Sequence, residues 1–512
     1  MNSSLSVTCR RALSDPGSWV VGASAVLYAC LLVPHWQPTW DSATYITLAR
    51  SLVAGDGYTY MGYDHTKYPP GFPLLLSPIV ALFGTNFLLM RALVAGCAVA
   101  SLAVAYVLIR RAAGPWVAAA AAAMTAGSYA LLFEATRILS DVPYMLVSLV
   151  ALLAVERLRE GRSWRLLVAV AALCVTAYLV RIVGFAVAIA AAISLILDRP
   201  RLPWREAARA AGIVLGAVAV VAAVWMGRNA AVTNELPATL REALSYEAEL
   251  VAADPNMPFT DTVTWPTLRA RLGRNLRYYA QLTALLLTSK RSNAPWLALV
   301  VVAGSLLVAI RRSTAVEWYF GGYMAIYILW PAHQGERFLV PVLPLIFYYA
   351  VAALAVGTAA VARVARGTAS RRAVAEGATA AAIALAFLLA GRVEVVARLR
   401  AEHRDPYHAA TMGDYISAFV WLRENSAEDA VLVTNRAPYG VLWAERPTYT
   451  VPWVADHAEI LASIRDNGVT HAVTNAFTQT YLGPVVDANP DVFHPVKQIG
   501  GTRIYEVTRP AP

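Results

Sequence analysis

Long uncharged apolar stretches recur from about residue 19 to residue 391, and they constrain this chain more than any other feature. An α-helix advances about 1.5 Å per residue, so about 17–25 apolar residues cross the hydrocarbon core of a bilayer. Lipid offers the backbone no hydrogen-bond partners, which restricts such stretches to helices. About eleven spans are expected, near 19–35, 86–109, 115–133, 140–156, 164–180, 181–197, 207–227, 295–310, 317–331, 337–361 and 373–391. Residues 73–84 are too few to span and read as a helix entering or lying at the interface. The chain is 58% apolar and 15% charged, against about 45–50% and about 25% in soluble domains. This balance argues against a water-soluble enzyme, a disordered chain and a secreted disulfide scaffold. The four cysteines, Cys9, Cys30, Cys97 and Cys174, form no CxxC, which argues against a zinc-thiolate site as well.

The formal net charge of +10 would raise the question of a nucleic acid partner in a soluble protein. In a membrane chain the placement of the charges carries the information, and no nucleic acid is expected. With the N-terminus inside, the short inner loops hold eighteen Arg residues, including Arg110/Arg111, Arg311/Arg312 and clusters near 157–165, 199–209 and 363–372. The short outer loops then hold five cations: Arg50, Lys67, Arg137, Arg181 and Arg337. The asymmetry predicts a plasma-membrane protein with a cytoplasmic N-terminus, and an odd span count puts the C-terminus outside. Arg10 and Arg11 before the first apolar run resemble a signal sequence, and Leu27–Cys30 resembles a lipoprotein processing site. Tyr28 is bulky for that role and the apolar run passes Cys30, so an uncleaved first span is expected.

The expected fold class is therefore an all-α polytopic membrane domain over 1–391, with outer loops 36–85 and 228–294, followed by a small extracytoplasmic α/β domain over 392–512. In the latter, 407–424 and 455–465 read as helices, and 430–434, 469–474 and 503–508 read as strands. It shows no catalytic constellation. His403 and His408, beside Glu402 and Asp405, read as solvated linker.

The first outer loop concentrates the chemistry. Trp36-Gln37-Pro38-Thr39-Trp40-Asp41 leads into an amphipathic helix over 42–54. Gly55-Asp56-Gly57-Tyr58 turns the chain, and Lys67-Tyr68-Pro69-Pro70-Gly71-Phe72-Pro73 starts the next helix. Asp41 has a bland reading as an N-cap, where a carboxylate meets free N–H groups and the helix dipole. Asp141, in Ser140-Asp141-Val142-Pro143, has the same alternative.

The order Asp41, Tyr45, Ala49, Gly55, Gly57-Tyr58, Tyr68-Pro69-Pro70-Gly71 resembles the polyprenyl-phosphate-sugar-dependent glycosyltransferases of the C-type superfamily. Protein O-mannosyltransferases and lipid A aminoarabinose transferases are relatives. Ser140-Asp141-Val142-Pro143, Arg228-Asn229 and the run 336–344 extend the resemblance over most of 19–391. Two departures stand out: Ser42 follows Asp41 where many relatives carry a second acid, and Tyr68 precedes the prolines where some carry Lys. The resemblance implies an inverting transfer from a polyprenyl-phosphate sugar to an outer hydroxyl on an envelope glycan, lipid or protein, with Asp41 as general base. Partial burial is expected to raise its pKa. Asp141 is the second carboxylate implied.

The departing phosphate gains charge that Arg or Lys would stabilise. Arg337 is the first candidate, and Lys67, Arg228 and Arg181 are others; snorkelling to the interface is the alternative for the arginines. Tyr45, Tyr58, Tyr68 and Trp40 could stack on a sugar or serve as interfacial anchors. No P-loop, GxGxxG, HxxxH or HExxH occurs, so neither a cofactor nor a metal site among His35, His65 and His333 is expected. In the long loop, acids at 242, 247, 249, 254 and 261 precede Arg269, Arg271, Arg274 and Arg277, which read as a lid or a headgroup-binding helix. Two other functions compete: a lipid-linked-sugar flippase, which would want inverted repeats and broken spans, and a noncatalytic envelope scaffold. Asp41→Asn separates them, since only an enzyme should lose transfer while keeping its fold.

Overall fold

The computed structural model describes residues 15–198, 203–233, 246–254, 257–288, 295–366, 410–452 and 456–508, with a few isolated residues between them. The span expected at 373–391 and the linker histidines lie outside the described residues. Helix α1 (Pro16–Cys30) opens with the Asp15 side chain accepting from the Gly17 N–H at 3.0 Å. Helix α2 (Trp40–Ala54) is capped by Thr39, not by Asp41: Thr39 has the extended backbone a cap requires, and its hydroxyl accepts from the Ser42 N–H at 3.2 Å. Asp41 is one residue inside the first turn, so its carboxylate is available to other partners. Gly55 ends α2 at φ +89°, a left-handed geometry that glycine adopts without strain.

Strands β1 (Thr59–Tyr60) and β2 (Tyr63–Asp64) form a small hairpin, and α3 (Gly71–Phe83) follows. Then come α4 (Phe87–Ala113), α5 (Pro115–Ala126) and α6 (Tyr129–Glu134). The expected span 115–133 is thus two helices, broken at Gly127-Ser128. Next are α7 (Asp141–Gly161), α8 (Trp164–Val180), α9 (Phe185–Leu197), α10 (Trp204–Val232) and α11 (Tyr246–Val251). The strands β3 (Ala252–Asp254) and β4 (Met257–Thr262) pair antiparallel ahead of α12 (Trp265–Thr288). Helices α13 (Ala298–Arg311), α14 (Ala315–Leu329) and α15 (Leu343–Arg366) complete the bundle, with a 3-10 segment over Gly335–Val342. Among the described residues three helices, Phe87–Ala113, Trp204–Val232 and Gly335–Gly357, are long and apolar enough to cross a membrane by length and composition; six others there are shorter and apolar.

Packing follows side-chain size. Most alanines of α5 are buried and let it lie against α4 and α15, as small residues do where backbones approach closely. Helix α7 packs on α4 and α8, and α9 on α10 and α14. At one end of the bundle the start of α2, the start of α7, the end of α8 and the 3-10 segment converge. Gly71 lets α3 join them, because a Cβ there would lie 2.6 Å from the Leu179 carbonyl oxygen.

The terminal region contains α16 (Ala410–Asn425), β5 (Leu432–Val433), α17 (Ala437–Ala444), β6 (Thr448–Tyr449), α18 (His457–Asp466), β7 (His471–Thr474), α19 (Leu482–Ala488), β8 (Phe493–Ile499) and β9 (Thr502–Val507). The sheet order is β6-β5-β7-β9-β8, with β5 parallel to β6 and β7 and β9 antiparallel to β7 and β8. This region is docked on the first loop. Tyr439 and Trp443 of α17 meet Trp36 with ring centroids 5.1 and 6.0 Å apart, and Arg50 of α2 donates to the Leu442 carbonyl at 3.1 Å and pairs with Glu445 at 3.3 Å.

Candidate active site

Four charged side chains from distant parts of the sequence form one chain of ion pairs at this end. Asp41 comes from the first turn of α2, Asp141 from the start of α7, Arg181 from the end of α8, and Arg337 from the 3-10 segment. The Arg337 guanidinium bridges the two acids, 2.6 Å from Asp41 Oδ2 through Nη1 and 2.7 Å from Asp141 Oδ2 through Nε. Arg181 holds the other oxygen of Asp141 at 2.7 Å and donates to Ser140 Oγ at 3.2 Å. The Tyr68 hydroxyl donates to Asp41 Oδ1 at 2.8 Å. The Tyr45 hydroxyl meets Ser140 Oγ at 3.0 Å, and its ring lies 4.9 Å from that of Tyr68. Asp141 is fully enclosed, whereas the Asp41 side chain keeps 15% of its surface open and Arg337 13%. The gradation lies in the acids: Asp141 is closed and held by both arginines, whereas Asp41, like the Arg337 and Arg181 side chains that are 13% and 14% open, is one that an incoming group could reach.

Residues 67–226 match the family described as dolichyl-phosphate-mannose-protein mannosyltransferase. The whole fold is similar to ArnT from Cupriavidus metallidurans bound to undecaprenyl phosphate, at TM-score 0.59 and 13% identity, covering 96% of this chain and 98% of that one. It is also similar to the Archaeoglobus fulgidus oligosaccharyltransferase tethered with an acceptor peptide, at TM-score 0.55 and 14% identity, covering 90% and 69%. The chain has the C-type glycosyltransferase fold. No curated protein matches the sequence.

Within this C-type fold the electrostatics of Asp41 differ from expectation. Burial alone would raise its carboxyl, but the Arg337 guanidinium, the Tyr68 hydroxyl and the charge of Lys67 together hold it below the usual carboxylate range. The upward push expected from burial is present but outweighed by the Arg337 cation, which sequence order does not reveal as a neighbour. Burial, reinforced by Asp41, keeps the Tyr68 phenol well above its usual range, so it stays a donor.

The remaining candidates divide. Lys67 lies over the Tyr246 ring, 5.3 Å from its centroid, and is close enough to act on Asp41. Arg228, a candidate phosphate ligand, contacts the first loop: it pairs with Asp64 and donates to the His65 carbonyl at 2.7 Å. Tyr58 is similarly occupied, its hydroxyl donating to the Tyr68 carbonyl at 2.9 Å. His65 and His333 occupy separate settings. His65 Nε2 accepts from the Tyr68 N–H at 3.0 Å, and burial holds the imidazole at about 3, hence neutral. His333 Nε2 meets Asn275 Oδ1 at 2.7 Å.

Two residues near the site were not anticipated. Glu134 is buried beside Arg137, which it meets at 3.3 Å, and its Oε2 has no hydrogen-bond partner among the described residues. Burial raises its carboxyl despite Arg137, and it also acts electrostatically on Arg337. The available signal was an acid and a base three residues apart in a short segment after an apolar run. Tyr439 of α17 lies close enough to feel both Arg137 and Asp41, which brings the terminal region to the edge of the site.

Proposed function

We propose that this protein is a membrane glycosyltransferase moving a sugar from a polyprenyl-phosphate carrier to a hydroxyl of an envelope glycan, lipid or protein. The reaction takes place on the outer face of the plasma membrane, with the N-terminus cytoplasmic and the terminal α/β region outside. The C-type fold makes lipid-linked sugar transfer the expected chemistry. The observation that carries the finer reading is the partly open Asp41–Arg337 pair, a base and a phosphate ligand already joined at 2.6 Å.

The acceptor oxygen attacks the anomeric carbon from the side opposite the phosphate, and its proton passes to Asp41. The bond from that carbon to the phosphate oxygen breaks, the electron pair leaves with the phosphate, and polyprenyl phosphate departs as a monoester. A single displacement inverts the anomeric centre. Charge grows on the departing oxygens, where Arg337 and Lys67 stabilise it.

Donor arrival has a second consequence. A phosphodiester that draws on Arg337 weakens its hold on Asp41, and the carboxylate then becomes a stronger base. Arg181 keeps Asp141 paired during this exchange, so no buried charge is abandoned. Tyr45 and Tyr68 line the sugar side of the site, and the apolar helices supply the groove for the isoprenoid tail. The test is incubation of the purified full chain with a panel of polyprenyl-phosphate sugars and envelope acceptors, with products read by mass. Transfer from a lipid-linked donor, and none from nucleotide sugars alone, is the expected result; robust transfer from nucleotide sugars without polyprenyl phosphate would refute the reading.

A further inference from the structure

Helix α12 carries a charged surface that the transfer chemistry does not use. A groove of about 540 Å³ is lined there by Arg274, Arg277, Tyr278, Gln281 and His333, with no carboxylate in its wall. Arg274 and Arg277 are three residues apart on one helix, an arrangement of like charges that disfavours the free helix. Among the described residues no acid forms an ion pair with either. Part of the lining is built in advance: His333 stacks on Tyr278 with centroids 4.0 Å apart and is held by Asn275 at 2.7 Å. Asn275 is itself fixed by donating to the Ile328 and Trp330 carbonyls at 2.9 and 2.8 Å.

Two observations say which anion belongs there. At about 100° per residue, Trp265 and Leu276 fall on one side of α12, Arg274 on the opposite side and Arg277 about 100° round from Leu276. Those two apolar residues are 72% and 55% exposed, so the side suited to the bilayer interface lies away from Arg274 and beside Arg277. His333 also precedes Arg337 by only four residues, a reach of at most about 14 Å at the extended limit of roughly 3.5 Å per residue. Gln334 between them accepts from Arg337 at 3.0 Å.

We propose that this groove is an acceptor subsite that binds a phosphate-bearing group on the aqueous side while a neighbouring hydroxyl is presented to Asp41. The paired guanidinium groups suit phosphate oxygens. The inference rests on the transferase reading for the word acceptor, but the binding itself does not require turnover. The test uses the full chain in nanodiscs of phosphatidylcholine, with glycerol 3-phosphate as the probe, glycerol as the uncharged control, and phosphorus NMR line broadening as the readout.

Glycerol 3-phosphate should bind, glycerol should not, and Arg274→Gln/Arg277→Gln should weaken binding at least about tenfold with an unchanged melting transition. The single Arg277→Gln should give a smaller loss, which serves if the double variant is unstable. Asp41→Asn should bind the probe as the parent does, so failure of the transferase reading leaves this result intact. Equal binding by the parent and both Arg variants, or none by the parent, would overturn the proposal. So would loss of probe binding when phosphatidylglycerol replaces phosphatidylcholine, because the groove would then belong to lipid headgroups.

Discussion

Replacing Arg337 by Gln removes the only cation shared by Asp41 and Asp141 among the described residues, from contacts of 2.6 and 2.7 Å. Unit charges about 3 Å apart at an effective dielectric near 20 attract by roughly 5 kcal/mol per pair. Desolvation offsets much of this, and removing one partner of a buried pair typically costs about 3–5 kcal/mol, because it leaves a buried charge uncompensated. Arg181 keeps Asp141 paired, so the lower end of that range is expected here. The assay is thermal unfolding in detergent from pH 3 to 8, alongside single-turnover transfer. Asp41 is held below its ordinary value in the parent, so its share of stability is present above about 3.8 and is lost as the pH falls through the lower folded value. In Arg337→Gln that loss begins at a higher pH. The transfer rate should fall by about 10²–10³, the usual cost of removing one charge-stabilising donor. Arg337→Lys should restore part of the stability but little of the rate, since an ammonium lacks the fork that spans both acids. Unchanged stability together with a rate within twofold of the parent would refute the reasoning.

Other outcomes follow from single contacts. Glu134→Gln should remain folded and gain stability at neutral pH, because the parent carboxyl, raised by burial, loses stability as pH climbs above its ordinary value; a pH–stability scan reads the missing slope. Gly71→Ala should cost about 1–3 kcal/mol through overpacking against the Leu179 carbonyl and lower transfer by shifting Tyr68 from Asp41, as unfolding and rate measurements would report. His65 should stay neutral from pH 5 to 8, with no titration in nitrogen NMR, since burial holds it at about 3.

The bundle was legible because apolar run length is a one-dimensional signal. Its interruptions were less so: Gly127-Ser128 splits one expected span, since a single break in an alanine-rich run changes hydropathy little. In the terminal region the helix 410–425 and the strands 432–433, 471–474 and 502–507 fall on segments whose pattern shows in the sequence, but β6 is two residues long and too short to carry one. Helix α17 looks like a short apolar run until its contacts with Trp36 and Arg50 explain it. At the site, Asp41, Asp141, Arg181 and Arg337 could be named one by one, but not the pairs that join them, because their partners lie 40 to 296 residues away. Arg228 illustrates the converse. At a helix end it looks like Arg337, and only folding brings Asp64 within its reach.

The central claim is that the Asp41 carboxylate takes the acceptor proton as the lipid-linked donor departs. Its most direct test is a single-turnover comparison of Asp41→Asn with the parent on a polyprenyl-phosphate sugar, with donor binding measured on the same preparations. The account predicts retained donor binding and a transfer rate lower by about 10²–10⁴, the range lost with a positioned base. Transfer by Asp41→Asn at the parental rate would contradict it.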